Sequence, residues 1–331
     1  MRGKYSKSWS IDTMYTDARS TVEQYNEDPE KYVRSFTVRI NGKKRNIITY
    51  TPDRNGAALR NIHSRFAFTI SHCYQSMPDS FAYKKGSGIL TCLSQHLQSD
   101  TFFKTDIHDY FNSIKFETLL SMFQEDKTCK RRMKKIKALL SLCFYNDHMP
   151  IGFITSPVLS DLYLHKVDES FLGRYDVIYT RYADDFIISG KNNMSSLEKA
   201  KNELEESLSE YGLSLNAKKT YFRTLHRPGD AIHVLGVNLV NNDPDPNRIT
   251  VSDRYIRETS KDICRFLSEY QDQTKEENEI ALSSAIGKIE FIRFVSPSSY
   301  SKLEKMVRIK HGEAVDLSRA MLEGLIKKNN S

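Results

Sequence analysis

Ile178-Tyr179-Thr180-Arg181-Tyr182-Ala183-Asp184-Asp185-Phe186-Ile187-Ile188 decides how the rest of the chain is read. Two β-prone apolar runs flank a turn that carries adjacent carboxylates, so the pattern predicts a hairpin with both acids at its tip. Adjacent aspartates repel, and the flanking runs offer them no basic partner except Arg181. A divalent cation resolves the conflict, whereas the alternative, a solvated β-turn, needs no ligand.

A third acid is sought on a neighbouring strand. Phe102-Phe103-Lys104-Thr105-Asp106-Ile107-His108-Asp109-Tyr110-Phe111 reads as a buried strand that ends at Asp106 and then turns. If Asp106 and the Asp184-Asp185 hairpin lie side by side in one sheet, their oxygens suit two Mg²⁺ ions ~4 Å apart, the arrangement used for phosphoryl transfer. Asp109 is the rival acid here, read as solvated or helix-capping.

Outward from these segments the periodicity alternates. Met149-Pro150-Ile151-Gly152-Phe153-Ile154-Thr155-Ser156 is a loop, and Pro157 starts a helix whose core stripe is Val158, Leu159, Leu162, Tyr163 and Val167. After the hairpin, Ser195-x-x-Glu198 predicts a capping box for a helix with Leu197, Ala200, Leu204, Leu208 and Tyr211 on one face, stopped by Gly212. Leu215-Asn216-Ala217-Lys218-Lys219-Thr220 predicts a return to a strand. The resulting order is β-α-β-β-α-β, an antiparallel sheet backed by helices, with Asp106 and the acid pair on neighbouring central strands.

Before this block, residues 1–35 are polar and aromatic, and Asp28-Pro29 predicts a helix start. Residues 36–40 and 43–50 alternate around Asn41-Gly42, a β-hairpin whose basic tip either reaches a phosphate or guards an edge strand. Residues 59–70 have helical spacing, with His63 expected at the surface. Residues 81–88 form a loop with two glycines and two lysines, able to approach a sugar-phosphate chain but unlike a nucleotide P-loop. Residues 129–137 are the densest basic run, open to two readings, a solvated helix face or a nucleic-acid contact. Residues 234–240 predict one strand, 241–247 a linker, and 248–331 helices. There Lys288, Arg293, Lys302, Lys305, Arg308 and Lys310 oppose Glu290 and Glu304, a surface suited to phosphates.

Bulk numbers bound these readings. The 331 residues are enough for one large or two to three medium domains, and 49 Lys and Arg against 42 Asp and Glu give a net charge of +7, which suits a polyanion. Five scattered cysteines without a C-x-x-C pair support neither a zinc site nor a disulfide framework. The N-terminus lacks an apolar signal region and no run reaches the length of a membrane span, so a soluble, cytoplasmic protein with no membrane partner is expected.

Asp106 followed five residues later by Phe111, Pro150-x-Gly152-x-x-Thr155-Ser156-Pro157, Tyr182-Ala183-Asp184-Asp185, Asn216-x-x-Lys219-Thr220 and Leu235-Gly236 together resemble the ordered motif series of reverse transcriptases, over about residues 36–240. The series is most similar to the compact bacterial group of retron, group II intron and phage-defence enzymes. The resemblance implies an α+β right-hand polymerase: an N-terminal extension (1–35), fingers (36–100), a ferredoxin-like palm (101–240, with a fingers-type insertion about 115–150) and a helical thumb (248–331). It implies Asp106, Asp184 and Asp185 as ligands of two Mg²⁺ ions, with Mn²⁺ as an alternative, and the Ile107 backbone beside them. Lys219 would protonate departing pyrophosphate, and Arg45 with Lys43 or Lys44 would grip the triphosphate. Phe111 would act as the steric gate against a ribose 2′-hydroxyl, and Leu235-Gly236 would form the primer grip. Implied partners are an RNA template, here a dedicated non-coding RNA in an antiviral system, dNTPs and a DNA product, with room for a protein partner or a second copy of the chain. Template-independent or protein-primed synthesis and a non-catalytic RNA-binding scaffold are the alternatives. Two departures stand out. Ile151 replaces the Gln usual before the motif glycine, and Val234-Leu235-Gly236 replaces the Val-Thr-Gly usual in retrons.

Overall fold

The computed structural model describes residues 10–40, 43–174, 176–269, 274–311, 316–318 and 322. The chain divides into two units, Met1–Cys92 with Thr101–Phe222, and Leu93–Asp100 with Arg223–Ser331.

The first unit opens with α1 (Ile11–Glu27), whose cap Ser10 accepts from the Thr13 amide through its hydroxyl and whose Met14, Ala18, Val22 and Tyr25 are buried. The sequence marked no element here, because that apolar stripe is sparse among polar positions. Asp28-Pro29, expected to start a helix, follows one instead: Pro29–Lys31 is a single 3-10 turn leading into a strand. Strands β1 (Val33–Ile40) and β2 (Lys43–Tyr50) form the expected antiparallel hairpin, with Arg39 opposite Lys44 and Val38 opposite Arg45. The Asn41-Gly42 turn lies outside the described residues.

Helix α2 (Arg54–Cys73) is capped by the Asp53 carboxylate and buries Leu59, Ile62, His63, Phe66 and Ile70. His63 is therefore not a surface residue; it falls on the i, i+3, i+4 core stripe. Its Nε2 stands 2.9 Å from the Leu142 carbonyl, which can only accept, so Nε2 carries the proton and Nδ1 accepts from the Tyr50 hydroxyl at 2.9 Å. That hydroxyl in turn accepts from the Ile154 amide at 2.9 Å. A buried relay thus ties β2 and α2 to the loop at 149–155.

The elements that follow are α3 (Ile89–Ser94), β3 (Thr101–Asp106), α4 (Tyr110–Ser113), α5 (Phe116–Glu125), α6 (Met133–Ser141), α7 (Ser156–Tyr163), α8 (His165–Phe171), β4 (Ile178–Tyr182), β5 (Asp185–Gly190), α9 (Met194–Glu210) and β6 (Tyr221–Thr224). The sheet runs β4-β5-β3-β6, and β5 is antiparallel to both β3 and β4. This is the α+β, ferredoxin-like order expected of β-α-β-β-α-β, with α9 packed on β3 and β5 through buried Leu197, Ala200, Leu204 and Leu208. Local details differ from expectation. The cap of α9 is Asn193, whose Oδ1 accepts from the Ser196 amide, rather than Ser195. Leu215 makes a single bridge to Ile107, and residues 216–219 are a turn closed by Lys219 N donating to the Asn216 carbonyl at 2.9 Å, so the strand starts only at Tyr221.

In the second unit, β7 (Ala231–Val234), β8 (Val237–Asn242) and β9 (Asp245–Thr250) form an antiparallel meander, and α10 (Asp253–Glu269), α11 (Lys275–Val295) and α12 (Pro297–His311) pack on one another. The single strand expected over 234–240 is a hairpin, because Leu235 and Gly236 both take positive φ, 50° and 83°. Leu rarely enters that region, so nothing in the sequence marked the turn. The expected linker at 241–247 is instead the end of β8, the β8–β9 turn and the start of β9. Among the described residues, no helix is long and apolar enough to cross a membrane.

Burial pushes the His63 imidazole from 6.5 down to about 3. Unfolding between those values takes up a proton, so this contribution is present above about pH 6.5 and lost as pH falls toward 3. The urea midpoint should therefore decline on acidification below about pH 6.5. His63→Gln, which cannot take up that proton, should be less stable by about 1–3 kcal/mol at neutral pH through its broken relay, yet show a flatter decline. An unchanged slope would mean that His63 is not a buried neutral group.

Candidate active site

Register brings the acids together. In the β3–β5 ladder Asp106 stands opposite Asp185, and in β4–β5 Tyr182 stands opposite Asp185. Ala183 takes φ 58° to turn the hairpin, and the Ile107 amide donates to the Asp184 carbonyl at 3.1 Å. The Asn216 amide donates to the Asp106 carbonyl at 2.8 Å, and Leu215 bridges Ile107, so the 216–219 turn is stitched to the end of β3. This stitching delivers Lys219, whose Nζ donates to Asp106 Oδ2.

Asp106 is 2% exposed, and its Oδ1 is buried without a hydrogen-bond partner. Asp185 Oδ1 lies 3.6 Å from Lys104 Nζ. Burial pushes the Asp184 carboxyl above its ordinary range, with the Asp106 charge adding to the rise and Lys219 and Arg45 opposing it. Burial also raises Asp185, against Lys104 and with the charges of Asp184 and Asp106. Asp106 in turn holds the Lys219 ammonium above its usual range. Among the described residues, no three His, Cys, Asp or Glu side chains form a ready-made metal-binding group. The carboxylates share one neighbourhood in which Lys219 and Lys104 supply the countercharge. The orphaned Oδ1 and two carboxylates raised by burial first and by neighbouring negative charge next fit a hard divalent cation, which takes oxygen ligands.

Arg181 does not serve the acid pair as a counterion. It is 1% exposed and donates from Nε to Asp168 Oδ1 (2.8 Å) and from Nη2 to Asp168 Oδ2 (2.5 Å) and Asp161 Oδ1 (2.8 Å). Its Nη1 donates to the carbonyl of Ala183 at 3.0 Å, inside the acid-bearing turn. Tyr179 and Ser80 hydroxyls donate to Asp168 and Asp161, completing the cluster. Sequence reasoning missed this anchor, because Asp161 and Asp168 lie on helices read only for their apolar stripe. Lys104, inside a strand read as buried, and Tyr83 were also missed. Tyr83 is half exposed with φ 60°, and its hydroxyl is pushed up to about 12 by burial first and by the Asp184 charge next.

Arg45 is exposed on β2, and its charge reaches Asp184. Lys44 is exposed opposite Arg39; the Lys43 side chain lies outside the described residues. Phe111 is half-buried, its ring tilted on Tyr110 at 5.5 Å, and the Tyr110 hydroxyl donates to the Ser160 carbonyl. Asp109 is exposed and accepts from the Asn112 side chain. Lys84 of the 81–88 loop donates to the Met77 and Ser80 carbonyls, which occupies it internally. Gly152 takes φ 124°, and a Cβ there would meet the Ile48 carbonyl oxygen at 2.4 Å; the Ile48 amide donates to the Ile151 carbonyl at 3.0 Å. Only glycine lets this loop lie against β2.

A family profile described as "Reverse transcriptase (RNA-dependent DNA polymerase)" matches residues 41–239, more than half of the chain. Among curated proteins, the chain is similar to the Retron Ec86 reverse transcriptase of Escherichia coli, 29% identical over 196 residues that cover 56% of this chain and 58% of that protein. It is also similar to the Retron Ec48 reverse transcriptase of Escherichia coli, 22% identical over 289 residues covering 84% of this chain and 69% of that protein. Among solved structures, apo telomerase from Candida tropicalis shares the fold, with a TM-score of 0.52 at 14% identity over 90% of this chain and 61% of that one.

Arg181→Met leaves Asp161 and Asp168 buried without their cation. Removing one partner of such a cluster costs about 3–5 kcal/mol, so a loss of that size is expected in urea unfolding. A loss below about 1 kcal/mol would place Arg181 in a solvated, exposed pair instead.

Proposed function

The chain belongs to the reverse transcriptase family, and on that premise we propose that it is an RNA-directed DNA polymerase, extending a primer with deoxynucleotides along an RNA template. The observation that carries the reading is the β3–β5 register setting Asp106 opposite Asp185, with Asp184 held onto Ile107. In this reading Asp106, Asp184 and Asp185 hold two Mg²⁺ ions, with the Ile107 backbone alongside. Two Mg²⁺ ions held by these carboxylates would supply Lewis-acid activation of the attacking 3′-hydroxyl and countercharge for the leaving pyrophosphate.

The chain's own groups do the rest. Arg45, with Lys43 or Lys44, grips the triphosphate from the hairpin by charge-assisted hydrogen bonds. Lys219 carries a proton at Nζ beside the acids and delivers it to pyrophosphate as it departs. Phe111 crowds the sugar 2′ position and so favours deoxynucleotides, while Gly152 lets its loop backbone approach the nucleotide base. Fingers (36–100), palm (101–240) and thumb (248–331) are assigned on this reading; the unit break after Phe222 then falls inside the palm, before the hairpin bearing Leu235-Gly236. We extend the reading to a dedicated non-coding RNA as template and bacterial antiphage defence as setting, on the resemblance of the motif series.

Asp184→Asn should lower deoxynucleotide incorporation on a primed RNA by at least ~10²-fold with folding intact, the scale for losing a key electrostatic stabiliser. Near-normal extension by the purified variant would sink the assignment of the site. Phe111→Ala should admit ribonucleotides that the parent chain rejects, read as incorporation of a single rNTP; no gain would remove Phe111 as the gate.

A further inference from the structure

Lys127-Thr128-Cys129-Lys130-Arg131-Arg132-Met133-Lys134-Lys135-Ile136-Lys137 contains seven cations and no acid. The whole chain has a net charge of +7, so this one stretch carries an excess equal to that of the entire protein. The remainder is electrically balanced.

Folding accounts for two of the seven. Arg132 Nε and Lys135 Nζ donate to Asp12 Oδ2 and Oδ1 at 2.8 and 2.6 Å, fixing α6 against α1 and holding the Asp12 carboxyl below its usual range. Buried Ile136, Leu139 and Leu140 set which way α6 faces. Lys127, Lys130, Arg131, Lys134 and Lys137 are exposed, and among the described residues no ion pair holds them. The neighbouring Asp126 carboxylate is occupied by the Thr128 amide and hydroxyl, both at 2.7 Å. Five like charges on one exposed segment repel one another, and among the described residues no ion pair offsets them.

We propose that this face docks the phosphate backbone of an RNA segment other than the one at the reacting end. Helix α6 packs on α1 and α5, whereas the acids stand on β3, on β5 and in the turn before it. The partner is assigned by charge complementarity: a row of cations without an apolar patch between them fits a regular chain of phosphates. The proposal rests on the polymerase reading, which puts RNA on this molecule, and adds an anchor to it.

The test uses the full chain with a long structured RNA, a short primed RNA oligonucleotide and phosphatidylserine vesicles as probes. Lys127, Lys130, Arg131, Lys134 and Lys137 are changed together to Ser, and in a second variant only Lys130→Ser and Lys134→Ser. The five-site variant should bind the long RNA about 100-fold more weakly at near-physiological salt, with a salt slope shallower by about 3, and the two-site variant proportionally less. Extension of the short oligonucleotide at saturating concentration should be unchanged in both. Interchanging Lys and Arg at the five positions should preserve affinity. Long-RNA affinity and slope unchanged in the two-site variant, or loss of vesicle binding with RNA binding intact, overturns the proposal. Failure of the parent chain to extend any primed RNA would instead strike the polymerase reading, and the comparison of RNA affinities would still decide whether the anchor exists.

Discussion

Antiparallel pairing of β3 with β5 presses like charges together, and the first unit is arranged around keeping them there. Asp106 faces Asp185 across the ladder and Asp184 follows the turn. Negative charges brought to facing positions of a sheet repel one another, the more so away from water. The sheet withstands this because two cations approach the acids: Lys219 from the turn after α9, and Lys104 from β3 itself. Burial and mutual repulsion still leave Asp184 and Asp185 harder to ionise than ordinary carboxylates. A site with that residual strain and an unpartnered Asp106 Oδ1 is one in which added positive charge lowers the free energy.

Holding the acid-bearing turn is a separate problem, and it is solved behind the strand. Ala183 sits in the left-handed region without being glycine, which costs roughly 1 kcal/mol. Arg181 offsets this by donating to the Ala183 carbonyl while its other nitrogens are locked onto Asp168 and Asp161. The Arg181 backbone also accepts from the Phe81 amide and donates to the Asp79 carbonyl, so the loop leading to Tyr83 is fixed to the same strand. A buried cation between two acids is a poor source of net stability. Its use here is geometric, since it allows the turn little freedom to shift.

What was legible in the sequence followed from strong local signals. The acid hairpin, the strand ending at Asp106, the helices at 59–70 and 194–210 and the β-α-β-β-α-β order all rest on periodicity that tertiary structure did not override. The failures share a cause: local chemistry was silent or pointed elsewhere. Leu235 takes a glycine-like φ, and residues 215–220 look β-prone, yet 216–219 are held as a turn by the Asp106 carbonyl. His63 lies on a core stripe but is polar, and the partners that make its burial tolerable, Tyr50 and Leu142, are distant in sequence. Arg181 stands three and four residues from Asp184 and Asp185 along the chain, while its true partners arrive from helices twenty and thirteen residues away. Long-range pairing of polar groups is what a single sequence hides best.

The buried relay also fixes the base of the β1–β2 hairpin. On β2, Arg45 and Lys44 are exposed to solvent. At its base, the Ile48 amide donates to the Ile151 carbonyl, the Gly152 backbone lies against the Ile48 carbonyl, and Tyr50 is locked between Ile154 and His63. A two-stranded ribbon is marginal alone, so its direction is set by whatever grips its base. Here the grip is the same loop that carries Gly152, and Arg45 lies only three residues before Ile48. The strand that carries Arg45 and the loop that carries Gly152 are therefore fastened to each other, so the direction of β2 is set by the same backbone contacts that require glycine at 152.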